Sequence, residues 1–322
     1  MMKNIMTTVK GRQVSIPNEW EQLSPAAYEA LIADLQLFAT GALSPARVKI
    51  NYVCRHLGIS LKRIKNEDAL ANIVWLAELV TFPFLISYPD KDAALQSLSA
   101  EDRAKFKKTP PERMQGHALA RYLSKLPYAY VLDCKFCAQM LPVIVIDGVT
   151  YRGYNIDTSF GVLTCSLTAL QYLEANSVSR GGKDQLPLLA AMLYHPGSYN
   201  SQSAQELAAK FATLPEATLQ AIAFNFTAFV NWLFACTEYD ILTRGKESKS
   251  AISVGATEAL YNLSADGLGN SDDIEQMNLL KYLSILRKKL IESVRSLKSA
   301  DMKPDKIAAE TGLPIDLITQ IL

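Results

Sequence analysis

The sequence predicts a mainly α protein: a multi-helix globular body around a central apolar helix, with two small β-hairpins and a C-terminal helical arm. Three observations predict this class. Residues 215–242 form the most apolar run with helical spacing. Most other segments begin with a helix-start signal and repeat apolar residues every three or four positions. Strand-like alternation is confined to two short stretches, near residues 4–17 and 142–155.

The first part of the chain is predicted to be a hairpin followed by helices. Apolar or β-branched residues alternate around Lys10-Gly11, at positions Ile5, Thr7, Val9, Val14 and Ile16. Ser24-Pro25 and Ser44-Pro45 each begin a helix, because serine caps it and proline at the first helical position loses no hydrogen bond. Asn66 begins a third. A helix and an exposed connection are expected over residues 99–115, and a short helix over 117–126.

The second hairpin has the stronger signal, since Asp147-Gly148 lies between two β-prone runs. Beyond it, the spacing of apolar residues and the caps predict a series of helices. These helices cover residues 166–175, 186–194, 203–213 with Ser203 as the cap, 215–242, 256–263 and about 272–299. Two further short helices, hinged at 312–314, end the chain.

The central apolar run has to be weighed against a membrane span. No charged residue occurs over positions 217–237, which is long enough to cross a bilayer. On a helical wheel, however, the polar residues align along one edge: Glu216, Gln220, Thr227, Asn231 and Glu238. The opposite side carries Leu219, Ile222, Phe226, Phe229, Val230 and Leu233. A narrow polar edge along its whole length favours the core helix of a globular domain.

Composition places the chain among folded globular proteins. Its 322 residues are 49% hydrophobic and 20% charged, which leaves room for two domains. We predict a helical body over residues 1–244, a linker over 245–255 and a C-terminal helical docking segment over 256–322. Lys and Arg total 33 against 32 Asp and Glu, so the net charge offers no attraction to nucleic acid or to an acidic membrane.

The predicted compartment is the cytoplasm. The first residues lack the continuous apolar segment and small-residue cleavage site of a secretory signal. Five cysteines, an odd number scattered along the chain, suit a reducing compartment better than a disulfide framework.

Cys134 and Cys137 form the only sequence motif whose side chains could bind a metal or carry out a reaction. Two cysteines at this spacing can hold zinc or cycle as a dithiol. Zinc needs two more ligands, and the sequence contains no second CxxC or HxxxH pair. A dithiol site needs a strand and a helix around it, which the flanking residues do not clearly provide. We interpret the pair as two small apolar side chains near a helix start and expect neither metal nor cofactor.

Other catalytic patterns are absent from the sequence. His56, His117 and His195 lie far apart and outside any HExxH frame. There is no GxSxG, GxGxxG or GxxxxGK[ST]. The sequence therefore predicts a protein that is not an enzyme.

The helix predicted over residues 272–299 is the candidate for partner contact. Its leucines have heptad spacing, which suits either packing on its own core or binding another helix. They are Leu279, Leu283, Leu286, Leu290 and Leu297.

In the last residues, 304–322, apolar and turn residues are spaced as in a helix-turn-helix. The would-be recognition helix contains Asp316 and no Lys or Arg, and only Gln320 could read a base edge. A docking helical hairpin is the preferred interpretation.

Three stretches together resemble an uncharacterised family encoded in phages and prophages of Bacteroides-type bacteria. They are residues 14–24, residues 147–161 from the Asp147-Gly148 hairpin to Gly161, and residues 259–269 leading to 278–283. The family's members lie among virion tail genes, so the resemblance implies a structural or assembly role, such as that of a tail assembly chaperone. It brings no catalytic residues, and Cys134 and Cys137 depart from its pattern.

The first hypothesis is thus a non-enzymatic phage protein that binds other virion or assembly proteins or itself, in the bacterial cytoplasm or within the virion. The alternative is a DNA-associated regulator that uses a degenerate C-terminal helix-turn-helix. A third possibility, an enzyme centred on Cys134 and Cys137, remains open at this stage.

Overall fold

The computed structural model describes residues 4–9, 11–90, 92–244 and 270–322. Within them lie 14 α-helices and four small two-stranded antiparallel sheets, which confirms the predicted mainly α class. The chain divides into two compact units, Met1–Cys134 and Lys135–Leu322. The linker predicted at 245–255 and the helix predicted at 256–263 fall outside the described residues, so that part of the domain prediction stays a prediction.

The first unit combines short helices with two hairpin-like sheets. Its elements are β1 (Asn4–Val9), β2 (Arg12–Pro17), α1 (Pro25–Ala39), α2 (Pro45–Leu57), α3 (Glu67–Leu79), β3 (Phe84–Ser87), α4 (Ala93–Gln96), α5 (Ala100–Lys108), α6 (Ala120–Leu123) and β4 (Ala129–Leu132). The predicted N-terminal hairpin is present, with Val9 opposite Arg12.

The predicted helix starts are made by the expected side chains. The Ser24 hydroxyl accepts a hydrogen bond from the Ala27 N–H at 3.3 Å, and Ser44 and Asn66 cap α2 and α3 in the same way. Each cap satisfies one of the backbone donors that the first turn of a helix leaves without a partner.

Two features of the first unit differ from the expectation. Strands β3 and β4 pair, with Phe84 opposite Leu132, although neither was predicted. The helix predicted over 117–126 is shorter than expected and covers only Ala120–Leu123. The His117 ring accepts the Leu119 N–H, and such a local side-chain bond competes with the helical pattern.

The second unit contains the remaining hairpins and the longest helices. Its elements are β5 (Val143–Ile146), β6 (Val149–Arg152), β7 (Ile156–Asp157), β8 (Thr164–Cys165), α7 (Ala169–Val178), α8 (Leu186–Leu193), α9 (Ser201–Phe211), α10 (Glu216–Cys236), α11 (Ser271–Glu275), α12 (Leu279–Ser299), α13 (Pro304–Thr311) and α14 (Ile315–Ile321). The Asp147-Gly148 hairpin is confirmed, and both turn residues have positive φ, as its two-residue loop requires.

The core of this unit lies against α10. Tyr154 packs on Phe226 and Phe229, with ring centroids 6.3 Å and 5.7 Å apart. From the β5–β6 hairpin, Tyr151 reaches Phe211 of α9 at 5.2 Å.

Two predicted helix ends are wrong by a few residues. The cap of α9 is Asn200, whose side chain accepts the Ser203 N–H, so Ser203 lies inside the helix. Helix α10 ends at Cys236 because Thr237 is extended. The Thr237 hydroxyl then accepts the Tyr239 N–H and begins a separate 3-10 turn, Glu238–Leu242.

The long helix predicted from about residue 272 is in fact two helices, α11 and α12. Between them, Met277 O accepts the Ala169 N–H at 2.7 Å, and Leu279 N–H donates to Leu167 O at 2.9 Å. Asn278 then caps α12. These bonds to a distant part of the chain break the helix at a point where the local sequence does not.

Candidate functional site

The two faces of α10 separate largely as the helical wheel predicts, although Gln220 and Val230 are half-buried and Glu238 lies in the 3-10 turn after the helix. Glu216, Thr227 and Asn231 are exposed, whereas the opposite side is buried at Leu219, Ile222, Phe226, Phe229 and Leu233. Among the described helices, α10 is the one long and apolar enough to cross a membrane, and 44% of its apolar window is buried within the protein. Since less than half of that window is buried, the polar edge is the observation that favours a core helix.

A buried amide on α10 was missed by the sequence reasoning. Asn225 is almost inaccessible; its side chain accepts the Met140 N–H and donates to Ala138 O, each at 2.7 Å. The amide therefore holds the irregular segment before β5 by both its donor and its acceptor. A polar residue amid apolar neighbours was the signal that could have indicated it.

The two candidate cysteines lie on an irregular stretch after β4 and not near a helix start, so that detail of the interpretation is wrong. Cys134 ends the first unit, and Cys137 lies in the second. Both are half-buried thiols outside any disulfide. Among the described residues, no group of three His, Cys, Asp or Glu side chains is placed to hold a metal ion.

The three histidines have local structural contacts. His56 packs edge-on against Tyr52, and His117 Nε2 lies 3.3 Å from Asp102 Oδ1. His195 Nε2 lies 2.7 Å from the Ser203 hydroxyl, which resembles a nucleophile and its base. The same hydroxyl lies within hydrogen-bond distance of Asn200 O, at 3.0 Å, to which it donates. Both side chains lie at the start of α9, where Asn200 is the cap.

The predicted partner-binding leucines face inward to different degrees. Leu279 and Leu283 are buried in the second unit. Leu290 and Leu297 are half-buried against a small core that includes Val294. Leu286 lines an open cleft between α7, α10 and α12. Two of the five leucines are thus buried within their own unit, and three remain partly accessible.

The C-terminal helical hairpin also packs on α12. Gly312 adopts the left-handed conformation between α13 and α14, and Ile307, Leu317 and Ile318 enter the core around Val294. The exposed side of α14 carries Asp316 but no basic residue. Gln320 is exposed on the same helix, but no Lys or Arg accompanies it to neutralise phosphate charge, so this surface does not favour DNA.

Large apolar side chains are exposed on the two neighbouring hairpins of the second unit. We call residues 143–162 the hairpin segment; its exposed apolar side chains are Val143, Val145, Val149, Phe160 and Val162. Strand β7 follows β6 after three residues, 153–155. The segment therefore concentrates apolar surface in one short stretch of chain.

Phe160 is the extreme case within this segment. Its side chain is fully exposed, at 102% of the reference area, and its φ is +58°. A bulky residue with positive φ carries a conformational cost, and such strain persists only where the surroundings impose it. In the preceding turn, Asp157 accepts both the hydroxyl and the backbone N–H of Ser159, and these bonds hold the pKa of that carboxyl below its usual value.

No protein family, curated protein or solved structure matches this chain.

Proposed function

We propose that this protein is a non-enzymatic phage protein that takes part in virion assembly, in the manner of a tail assembly chaperone, by binding other virion or assembly proteins. The observation that carries the proposal is the fully exposed aromatic ring of Phe160, a residue with positive φ that follows a hydrogen-bonded turn. Aromatic side chains are enriched among the residues that contribute most to protein–protein binding. Residues 147–161 also belong to the resemblance to the phage family.

The partner surface is apolar, because the hairpin segment presents valine and phenylalanine side chains outward. Aromatic anchors commonly supply a large share of the free energy of binding in such interfaces. The balanced net charge of the chain agrees with a protein partner better than with nucleic acid.

Co-expression with the proteins encoded by neighbouring tail and capsid genes, followed by pull-down, tests the proposal. We expect wild type to retain at least one of them and Phe160→Asn to lose it. Asparagine tolerates positive φ, so the substitution removes the ring without disturbing the turn. Burying a phenylalanine contributes about 1.5–3 kcal/mol, so the dissociation constant should rise roughly ten- to a hundredfold.

Leu70→Gln is the matched control, since Leu70 is an exposed apolar residue of α3 in the first unit. It should bind like wild type. The proposal fails if no neighbouring protein binds wild type, or if Phe160→Asn binds as tightly as the control.

A further inference from the structure

Lys49, on α2 of the first unit, has a buried amine beside a small pocket. Only 7% of the residue is exposed. The pocket has a volume of about 100 Å³, enough for several heavy atoms, and most of its wall is apolar. The wall is formed by Pro45, Ala46, Ile50, Val74, Ala77, Pro110 and Tyr130, with Glu78 and Arg113 also lining it.

No carboxylate forms an ion pair with the Lys49 amine within the described part of the chain. No hydrogen bond or ion pair joins Lys49 to another described residue. Its nitrogen lies 6.0 Å from the ring centroid of Phe84 and 5.9 Å from that of Tyr130, a distance at which aromatic rings attract a cation weakly.

The other two charges that line the pocket belong to Glu78 and Arg113. Glu78 and Arg113 form an ion pair with atoms 2.8 Å apart. Their effects on Lys49 have opposite sign: Glu78 favours the ammonium, and Arg113 disfavours it. The effect of Glu78 is the larger of the two, but its carboxylate is paired with Arg113. The pocket is therefore lined by two cationic groups and one anionic group, and among the described residues no ion pair is formed by the Lys49 amine.

We propose that the pocket binds a small organic carboxylate with a short apolar chain, with the carboxylate paired to Lys49 and the chain against the apolar wall. A buried charge without a partner is costly, and a ligand of opposite charge removes that cost. The apolar wall accounts for the chain, and the pocket's volume limits its length. This site belongs to the first unit and goes beyond the proposed assembly role.

Thermal unfolding of the full chain at pH 7 with sodium butyrate as the probe tests the site. At ten times the dissociation constant, a ligand that binds only the folded state should raise Tm by roughly 2–5 °C. Sodium chloride at the same ionic strength and 1-butanol are the controls, and neither should produce a saturable rise. Absence of a saturable rise with butyrate in wild type overturns the proposal.

Lys49→Met retains an unbranched apolar side chain and removes the charge. We expect the variant to lose the butyrate response while folding at least as stably as wild type, because it removes a buried charge. An equal butyrate response in the variant overturns the proposal.

A pH series on wild type tests the same site without a substitution. Burial, opposed by Glu78 and reinforced by Arg113, lowers the pKa of Lys49 to about 8. Butyrate stays ionised, so binding requires the protonated amine and should weaken roughly tenfold between pH 7 and pH 9. An affinity that is constant across this range overturns the ion pair.

Discussion

Asn225 shows how one buried side chain organises an irregular segment. Residues 133–140 form neither helix nor strand, so their backbone groups need partners from elsewhere. The Asn225 amide accepts the Met140 N–H and donates to the Ala138 carbonyl. Its low exposure makes both bonds costly to lose.

Replacement of this amide should therefore destabilise the protein strongly. For Asn225→Ala we expect a loss of about 2–4 kcal/mol in the free energy of unfolding, because the Met140 N–H and the Ala138 carbonyl are left without this partner. Urea denaturation followed by circular dichroism measures it. Thr227→Ala, on the exposed edge of the same helix, should change stability by about 0.5 kcal/mol or less. Equal effects of the two substitutions would contradict the structural role of Asn225.

Residues with local roles were the ones that sequence reasoning could identify. Ser24, Ser44 and Asn66 cap helices through groups three positions away, and Asp147-Gly148 forms a turn through its own backbone angles. Asn225 and Lys49 were missed because what matters about each is the burial that distant segments impose.

At the scale of elements, α12 shows the predicted leucine pattern and one of the two uses that the pattern allows. Its leucines recur with heptad spacing, but the helix packs on its own unit along much of that row. The same spacing serves a partner helix or an internal core equally well, because both present an apolar surface to the same face.

Leu283→Ala distinguishes these two uses. Leu283 is only 2% exposed, so its truncation should leave a cavity and cost about 2–5 kcal/mol in the free energy of unfolding. Leu290→Ala, at a half-buried position of the same row, should cost less. Chemical denaturation measures both variants. If Leu283→Ala unfolds like wild type but weakens the binding of a partner, the row is a docking surface after all.

The whole molecule consists of two units, and the first has an aromatic core of its own. Trp20 packs edge-on against Phe82 at 5.0 Å, and Tyr52 packs against Phe82 at 5.4 Å. The Trp20 indole also donates to Asp133 O at 2.9 Å, which ties the end of the unit to its beginning. Such closure is typical of a domain that folds by itself.

A fragment of residues 1–134 should accordingly fold without the rest of the chain. We expect a cooperative urea transition with a slope of roughly 1–3 kcal/mol per molar, monitored by the fluorescence of the buried Trp20. Trp20→Phe is the control for the origin of the signal, since Trp75 in the same unit is exposed. A fragment that shows no cooperative transition would contradict an independent core.

The sequence by itself determined the mainly α class, the two hairpins with turn signals, the helix starts at Ser24, Ser44 and Asn66, and the polar edge of α10. These features depend on residues within a few positions of one another. The tertiary structure alone decided the pairing of β3 with β4, the break between α11 and α12, and the burial of Asn225 and Lys49. Each of these depends on contacts between residues far apart in the chain, and local propensity carries no information about which distant groups will meet.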